Sequence, residues 1–159
     1  TKGQNSPTSE EEHKAAAAPF GNMEAPLNTL AFAVACEASF VARGASFNTK
    51  ALTELMVQAV EHKGFSFIDA LSPCVVFNNQ TDEWKALVTD IDPDHDVTDR
   101  GRAFEMALRS NFSLGILYKA ERPTLGDKYR HIIGNAKPSN VDKMLDGFST
   151  TKGKAISKA

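Results

Sequence analysis

The sequence predicts an α/β fold in which a parallel sheet is flanked by helices. Three observations predict it: two short apolar segments of strand length, 39–42 and 65–71, and an amphipathic segment, 49–62, between them. Strand, helix and strand together span about 35 residues, the length of a parallel βαβ unit. Parallel strands need such a crossover, and the helices then cover both faces of the sheet.

The chain up to the first strand divides into a loop and a helix. Residues 1–25 are polar, then Ala-rich, and contain the turn signal Pro19-Phe20-Gly21-Asn22, so we expect an entry loop there. The fixed φ angle of Pro26 suits a first helical turn. The apolar residues that follow it at helical spacing are Leu27, Leu30, Ala31 and Val34. We therefore expect a helix from Pro26 and then a buried strand over 39–42.

The segment 49–62 has the most regular helical pattern in the chain. Asn48 or Thr49 can cap its start, and Gly64 suits the position after its end. Its inward stripe is expected to contain Leu52, Leu55, Met56, Ala59 and Val60. The next segment, 65–71, is expected to be a buried strand, and Pro73 must end it because proline has no N–H to donate.

The second half of the chain contains weaker patterns. A short helix or loop is expected around Trp84, over 83–88, and a helix capped by Thr98 or Asp99 is expected to run to Arg109. Its inward residues are expected to be Ala103, Phe104, Ala107 and Leu108. A core strand is expected over 112–118. We predict one domain over 26–122 and a polar carboxyl-terminal extension over 123–159.

Composition restricts the class of protein. Hydrophobic residues make up 42% and charged residues 24% of the chain, and the net charge is −2, so nothing indicates a nucleic-acid surface or a membrane. The chain begins without Met and without an apolar secretory core, so we expect a processed chain or a fragment. Two cysteines are too few for a disulfide scaffold, and a cytoplasmic location is expected by default.

Cys74 is the main candidate for a site residue. It follows the strand predicted over 65–71, and in open parallel sheets ligands bind beyond the carboxyl ends of the strands. A cysteine at this edge can ligate a metal or a cluster, although a free cysteine is more often a small buried hydrophobe. Packing is the favoured role for Cys36, which lies in the predicted first helix.

Three cations are further candidates. Arg43 ends a predicted strand at the same sheet edge, where it can bind an anion or pair with a carboxylate such as Asp69. Lys50 lies in the first turn of a helix, where the dipole disfavours a cation, so contact with an anionic partner is one interpretation and a solvated side chain the other. Lys2 is a candidate only if residue 1 is internal to a longer chain. His95 lies among several aspartates, which favours a capped turn over a cation site.

Four segments in order resemble the beta subunit of 2-oxoacid:ferredoxin oxidoreductases. They are residues 1–8 (TKGQNSPT), 39–44 (SFVARG), 62–69 (HKGFSFID) and 72–78 (SPCVVFN). Residues 94–100 (DHDVTDR) and 115–118 (GILY) match the family's later pattern. The resemblance runs from residue 1 to about residue 122. The sequence of residues 62–69 is more similar to that of the 2-oxoglutarate-type members.

The resemblance implies the thiamine-diphosphate-binding fold and a specific chemistry. It implies oxidative decarboxylation of a 2-oxoacid to acyl-CoA, with electrons leaving through a [4Fe-4S] cluster to ferredoxin. Cys74 occupies the sequence position of the family's fourth cluster ligand. Lys2 occupies the position of the lysine that faces the substrate carboxylate. Arg43 is a candidate substrate contact, and Lys50 is a candidate contact for coenzyme A or a partner.

The chain also departs from the family pattern. The thiamine diphosphate and Mg²⁺ motif and the other three cluster cysteines, which precede TKGQ in the family, are not in this sequence. The chain therefore resembles the second half of the beta protein, inactive without an amino-terminal half and an alpha subunit. Glu37 stands where the family usually has Gly. The alternatives are a non-catalytic binding or assembly module and a redox protein that uses Cys74.

Overall fold

A computed structural model describes residues 3–109 and 112–135. The elements in these ranges are α1 (Thr29–Ala35), β1 (Phe40–Ala45), α2 (Thr49–Glu61), β2 (Ser66–Leu71), α3 (Thr81–Leu87), β3 (Thr89–Asp90), α4 (Arg100–Arg109), β4 (Ser113–Lys119) and α5 (Leu125–Asn135). The chain divides into two compact units, Thr1–Arg122 and Pro123–Ala159. No helix in the described ranges has the length and apolar character needed to cross a membrane.

The predicted strand–helix–strand unit is confirmed as β1, α2 and β2. The two strands are parallel, and their register runs from Phe40 opposite Ser66 to Ala45 opposite Leu71. The Asn48 side chain accepts a hydrogen bond from the backbone N–H of Ala51, which caps α2 as the sequence predicts.

The α/β class, with a sheet between helices, is confirmed, but the sheet is not parallel throughout. The strand order is β2-β1-β4-β3, with β4 antiparallel to β1 and parallel to β3. β3 and β4 thus form a second parallel pair, connected through α4. This pair runs antiparallel to the pair of β1 and β2. The apolar pattern of a strand is the same whichever way its neighbour runs, so the sequence could not show this.

The core has one layer on each face of the sheet. On one face, Val41 and Leu117 pack with buried residues of α1 and α4. On the other face, Phe40 and Ala42 pack with Leu55 of α2. All six residues of β1 are buried, so this strand is the centre of the fold.

The first helix begins later than Pro26. Asn28 caps it, with Oδ1 accepting from the backbone N–H of Ala31 at 2.9 Å. The Asn28 Nδ2 also donates to the carbonyl oxygen of Ala107 at 2.6 Å, which ties the cap to α4. This capping side chain, rather than proline geometry, fixes the helix start, and Leu27 is left half exposed.

Both predicted helix stripes are too wide. Met56 is 47% and Val60 is 85% exposed, while Leu55 is buried. In α4, Leu108 is 61% exposed and only Ala103 and Ala107 are buried. A helix that packs on one face of a sheet buries only part of its apolar side, so the buried stripe is narrower than the apolar stripe in the sequence. Phe104 is also exposed, as is Cys36, for which packing was expected.

The unit that begins at Pro123 contains a helix rather than only a polar extension. Thr124 and Asp127 exchange hydrogen bonds at the start of α5, with Asp127 Oδ2 accepting from both the backbone N–H and the hydroxyl of Thr124. Residues 136–159 lie outside the described ranges. Local capping therefore starts a helix here although the segment has few apolar residues.

Candidate functional site

A cavity of about 590 Å³ lies at the carboxyl ends of β1 and β2. The entry segment, the end of β2 and the turn after it form its walls. The lining side chains with polar or reactive groups include Gln4, Arg43, Asp69, Ser72, Cys74 and Trp84. The structure thus brings Arg43 and Cys74 to one cavity, and Gly3 and Gln4, next to Lys2, line it as well.

Arg43 is held by a buried ion pair across the parallel strands. Its side chain is 5% exposed, and its Nε and Nη2 lie 3.0 and 2.7 Å from Oδ2 of Asp69. Register explains the pair, because Arg43 and Asp69 stand opposite each other on β1 and β2. The carboxylate compensates for the burial of the guanidinium charge. Of the two roles considered for Arg43, the structure contains the ion pair.

Thr29 is a third member of this cluster that the sequence did not reveal. Its hydroxyl donates to the same Asp69 Oδ2 at 2.9 Å. Thr29 is the first residue of α1 and lies 40 positions from Asp69, so no local pattern joins the two. Three donors on one oxygen fix the carboxylate, and through it the guanidinium, at the cavity wall.

Cys74 lies on an exposed turn shortly after β2 ends and Pro73 interrupts the strand. The turn closes with the backbone N–H of Asn78 donating to the carbonyl oxygen of Cys74 at 2.9 Å. The N–H of Phe77 points at Sγ, at 3.4 Å. Backbone N–H donors, first that of Phe77 and then that of Val76, lower the pKa of the Cys74 thiol. The same donors favour a metal-bound thiolate.

Among the described residues that line the cavity, Cys74 supplies a single thiol. Among residues 3–109 and 112–135, no group of three or more His, Cys, Asp or Glu side chains could hold a metal ion. Cys74 could supply one thiolate to an iron–sulfur cluster. The further ligands would have to come from outside the described residues.

The structure describes one of the other two candidate cations. Lys50 is exposed in the first turn of α2, and the described residues that line the cavity do not include it. Lys2 lies outside the described residues. The roles proposed for both remain predictions.

The aspartates around His95 form capped turns, as expected. The Asp96 Oδ1 accepts from the N–H and the hydroxyl of Thr98, and the Asp99 Oδ1 accepts from the N–H of Arg102 at the start of α4. One ring nitrogen of His95, Nε2, lies 2.8 Å from the carbonyl oxygen of Leu117 on β4. These contacts fix the connection between β3 and α4.

The structure explains why Glu37 is unusual. Its φ angle is 63°, a left-handed conformation that favours glycine. Its carboxylate bridges two arginines, with Oε1 2.9 Å from Arg100 and Oε2 2.7 Å from Arg122. Arg122 also donates to the Glu37 carbonyl oxygen at 3.0 Å. Both arginines are more than 60 residues away in sequence, so no local sequence pattern reveals these contacts of Glu37.

Comparisons with known proteins find relatives over most of the chain. Residues 74–133 match the family model for the carboxyl-terminal part of the pyruvate ferredoxin oxidoreductase beta subunit. The 2-oxoacid:ferredoxin oxidoreductase subunit beta of Saccharolobus solfataricus is 30% identical over 157 residues, 89% of this chain and 50% of that protein. A 2-oxoglutarate oxidoreductase subunit KorB of Mycobacterium tuberculosis is 37% identical over 79 residues, 50% of this chain and 21% of that protein.

A solved structure is similar over nearly the same span. The 2-oxoglutarate:ferredoxin oxidoreductase from Magnetococcus marinus, with 2-oxoglutarate, coenzyme A and succinyl-CoA bound, matches with a TM-score of 0.82 and 36% identity. The match covers 91% of this chain and 52% of that one. The chain thus spans about half the length of these relatives, or less.

The fold and the matches define an α/β chain that is similar to part of an oxidoreductase subunit. The relatives are named as beta subunits of 2-oxoacid:ferredoxin oxidoreductases, and some of them as 2-oxoglutarate enzymes, and this chain is similar to about half of the length of each of them or less.

Proposed function

We propose that this chain is part of the beta subunit of a 2-oxoacid:ferredoxin oxidoreductase that acts on 2-oxoglutarate. The reaction would convert 2-oxoglutarate and coenzyme A into succinyl-CoA and CO₂, and the released electrons would pass to ferredoxin. The observation that carries the proposal is the cavity at the carboxyl edge of β1 and β2, which Cys74 and Arg43 both line. The ligands named for the Magnetococcus marinus structure support the choice of 2-oxoglutarate.

Cys74 is the proposed ligand from this chain to a [4Fe-4S] cluster. Its sulfur is exposed on a turn and faces backbone N–H donors, and such donors stabilise a thiolate and influence the potential of a cluster. The remaining thiolates, and the groups that hold thiamine diphosphate and Mg²⁺, would belong to the other half of the beta protein. Thiamine diphosphate supplies the carbanion stabilisation that decarboxylation of a 2-oxoacid requires.

Arg43 and Lys2 are the proposed contacts for the carboxylates of the substrate. Asp69 and Thr29 hold the Arg43 guanidinium in one orientation at the cavity wall, which suits recognition of a planar anion. Lys2 precedes Gly3 and Gln4, which line the same cavity. Lys50 is not among the residues that line the cavity, and a contact with coenzyme A or with the alpha subunit is its proposed role.

The chain would act only within an assembly. We propose that it is inactive without the other half of the beta subunit and an alpha subunit. A cytoplasmic location is part of the proposal, since the exposed thiols of Cys36 and Cys74 suit a reducing compartment.

Reconstitution tests the proposal directly. The chain would be combined with the half of the Saccharolobus solfataricus beta subunit that it does not match and with the alpha subunit of that enzyme. We expect iron to be bound and ferredoxin to be reduced in the presence of 2-oxoglutarate and coenzyme A.

A matched pair of cysteine variants tests the ligand. Cys74→Ser should lose cluster iron and ferredoxin reduction, whereas Cys36→Ser, at the other exposed thiol, should retain both. Intact cluster content in the Cys74→Ser protein would contradict the ligand assignment. A complete but colourless and inactive assembly would instead favour the non-catalytic module.

A further inference from the structure

A tryptophan lines the cavity that contains Cys74. Trp84 lies in α3, and the chain between the Cys74 turn and this helix is short and hydrogen-bonded. The backbone N–H of Gln80 donates to the carbonyl oxygen of Asn78 at 3.0 Å, and the N–H of Trp84 donates to the carbonyl oxygen of Gln80 at 2.8 Å. Backbone hydrogen bonds therefore link the position of Trp84 to the turn that carries Cys74.

Phe112, just before β4, packs against Trp84. The centroids of the two rings are 6.1 Å apart and the ring planes are inclined by 65°, an edge-to-face arrangement that aromatic pairs favour. The carbonyl oxygen of Phe112 accepts a hydrogen bond from the N–H of Thr89 on β3 at 3.1 Å. Both rings are half-buried and both residues line the cavity. Contacts within the chain thus hold this aromatic wall, Trp84 and Phe112, in place.

The aromatic wall differs chemically from the polar part of the cavity. Arg43 and Asp69, on β1 and β2, carry charges. Trp84 and Phe112 have no group that ionises near neutral pH or that ligates iron. The apolar shell around a metal site controls the access of solvent and the local dielectric constant, and through them the reduction potential. Exclusion of water is therefore the effect that this wall can have on a group bound at Cys74.

The charge of an iron–sulfur cluster gives the direction of that effect. A [4Fe-4S] cluster held by four thiolates is anionic, and reduction adds one more negative charge. Apolar surroundings disfavour the added charge and lower the reduction potential, whereas water raises it. The N–H donor of Phe77 at the Cys74 sulfur acts in the opposite direction, because it stabilises negative charge. The two features of the cavity would therefore set the potential between them.

We propose that Trp84, held by Phe112, excludes water from the cluster that Cys74 ligates and thereby keeps the reduction potential of that cluster low. The inference rests on the proposed function, because that function supplies the cluster. A low potential suits a donor to ferredoxin, since an electron passes favourably to a carrier of higher potential.

The chain alone tests whether Trp84 lies beside the Cys74 sulfur. Trp84 is the one tryptophan in the sequence, so the tryptophan fluorescence reports on this side chain only. A nitroxide label, which quenches fluorescence over a short range, would be attached to Cys74 in the Cys36→Ser chain and to Cys36 in the Cys74→Ser chain. We expect the label on Cys74 to quench most of the fluorescence and the label on Cys36 to quench little. Equal quenching from the two positions would overturn the proposal.

The reconstituted assembly of this chain with the other half of the beta subunit and the alpha subunit tests the effect on the cluster. Trp84→Leu and Trp84→Gln introduce side chains of similar size, one apolar and one polar. Phe20→Gln is the control, because Phe20 is 92% exposed and is not among the described residues that line the cavity. Circular dichroism checks that each variant folds.

We expect Trp84→Gln to release iron to a chelator about tenfold faster than the unchanged chain, since changes around a metal site have effects of that order. The reduction potential, followed by electron paramagnetic resonance, should shift to a more positive value in Trp84→Gln and by less in Trp84→Leu. Phe20→Gln should match the unchanged chain in both measurements. A purely structural role of Trp84 would not separate the polar variant from the apolar one.

Equal potentials in Trp84→Gln and Trp84→Leu, or an equal shift in Phe20→Gln, would overturn the inference and leave the proposed function standing. Loss of all iron in both Trp84 variants would also overturn it, because Trp84 would then be needed for assembly of the cluster. If the assembly with the unchanged chain holds no iron, the proposed function fails and the inference fails with it.

Discussion

β1 and β2 are neighbouring parallel strands of six residues each, both apolar, yet their surroundings differ. β1 has a partner on each side and helices on both faces, and all its residues are buried. β2 has one partner in the described sheet and is half-buried. The difference shows that the position of a strand in the sheet, more than its composition, decides how far it is buried. The half-buried strand, β2, is the one that leads to Cys74.

The largest expected effect comes from truncating the core of each strand. Phe40 of β1 is fully buried, and Phe40→Ala should cost about 4 kcal/mol of unfolding free energy. Phe67 of β2 is partly buried against the core, and Phe67→Ala should cost about half as much. Urea unfolding followed by circular dichroism measures both. Equal losses would show that β2 is as much part of the core as β1.

The ion pair between the strands should have the next largest effect. Asp69→Ala leaves the buried Arg43 guanidinium without its carboxylate partner and should cost about 3 kcal/mol, near the lower end for broken buried pairs because Asp69 is partly exposed. The control is Asp82→Ala, which removes an exposed pair with Lys85 and should change stability by less than about 0.5 kcal/mol. Urea midpoints give both values, and a small loss in Asp69→Ala would contradict a stabilising role for this ion pair.

Gly44 and Ala70 face each other in the register of β1 and β2 and allow a matched comparison. A Cβ at position 44 would lie 2.6 Å from Cδ1 of Leu52, so Gly44→Ala should cost about 1 kcal/mol by crowding α2. Ala70→Ser, at the exposed position, should be within about 0.5 kcal/mol of the unchanged chain. Thermal unfolding of the two variants measures the difference, and a stabilised Gly44→Ala protein would refute tight packing of α2 on β1.

The smallest effect is expected at Glu37, in the turn that leads into β1. Hydrogen bonds from Arg122 and then Arg100 lower the pKa of this carboxyl below its usual 4.5. Because the folded-state pKa is depressed, the stabilisation is complete above about pH 4.5 and is lost as the pH falls through the folded-state value. Glu37→Gln keeps the side-chain size and the backbone conformation but removes this dependence.

Urea midpoints at pH 7 and at about pH 3 measure the dependence at Glu37. The small advantage of the unchanged chain over Glu37→Gln should be present at the higher pH and absent at the lower. An advantage that persists in acid would show that charge is not its source.

Local patterns predicted much of the fold but little of how its elements meet. The α2 helix, its Asn48 cap and the flanking strands follow from residues within a few positions of one another, and all appear in the structure. The start of α1 at Thr29 was missed because a capping side chain outweighed a nearby proline. Exposure of Met56 and Val60 was missed because periodicity gives the apolar flank and not how much of it a neighbour covers.

The sequence by itself determined the α/β class, the βαβ unit and the placement of Arg43 and Cys74 at one sheet edge. Only the tertiary structure decided the direction of β4, the edge position of β2, and the contacts of Thr29 with Asp69 and of Glu37 with its two arginines. The physical reason is range. Propensity and periodicity act over a few residues, whereas these contacts join positions 40 to 85 apart, which meet only after the sheet has formed.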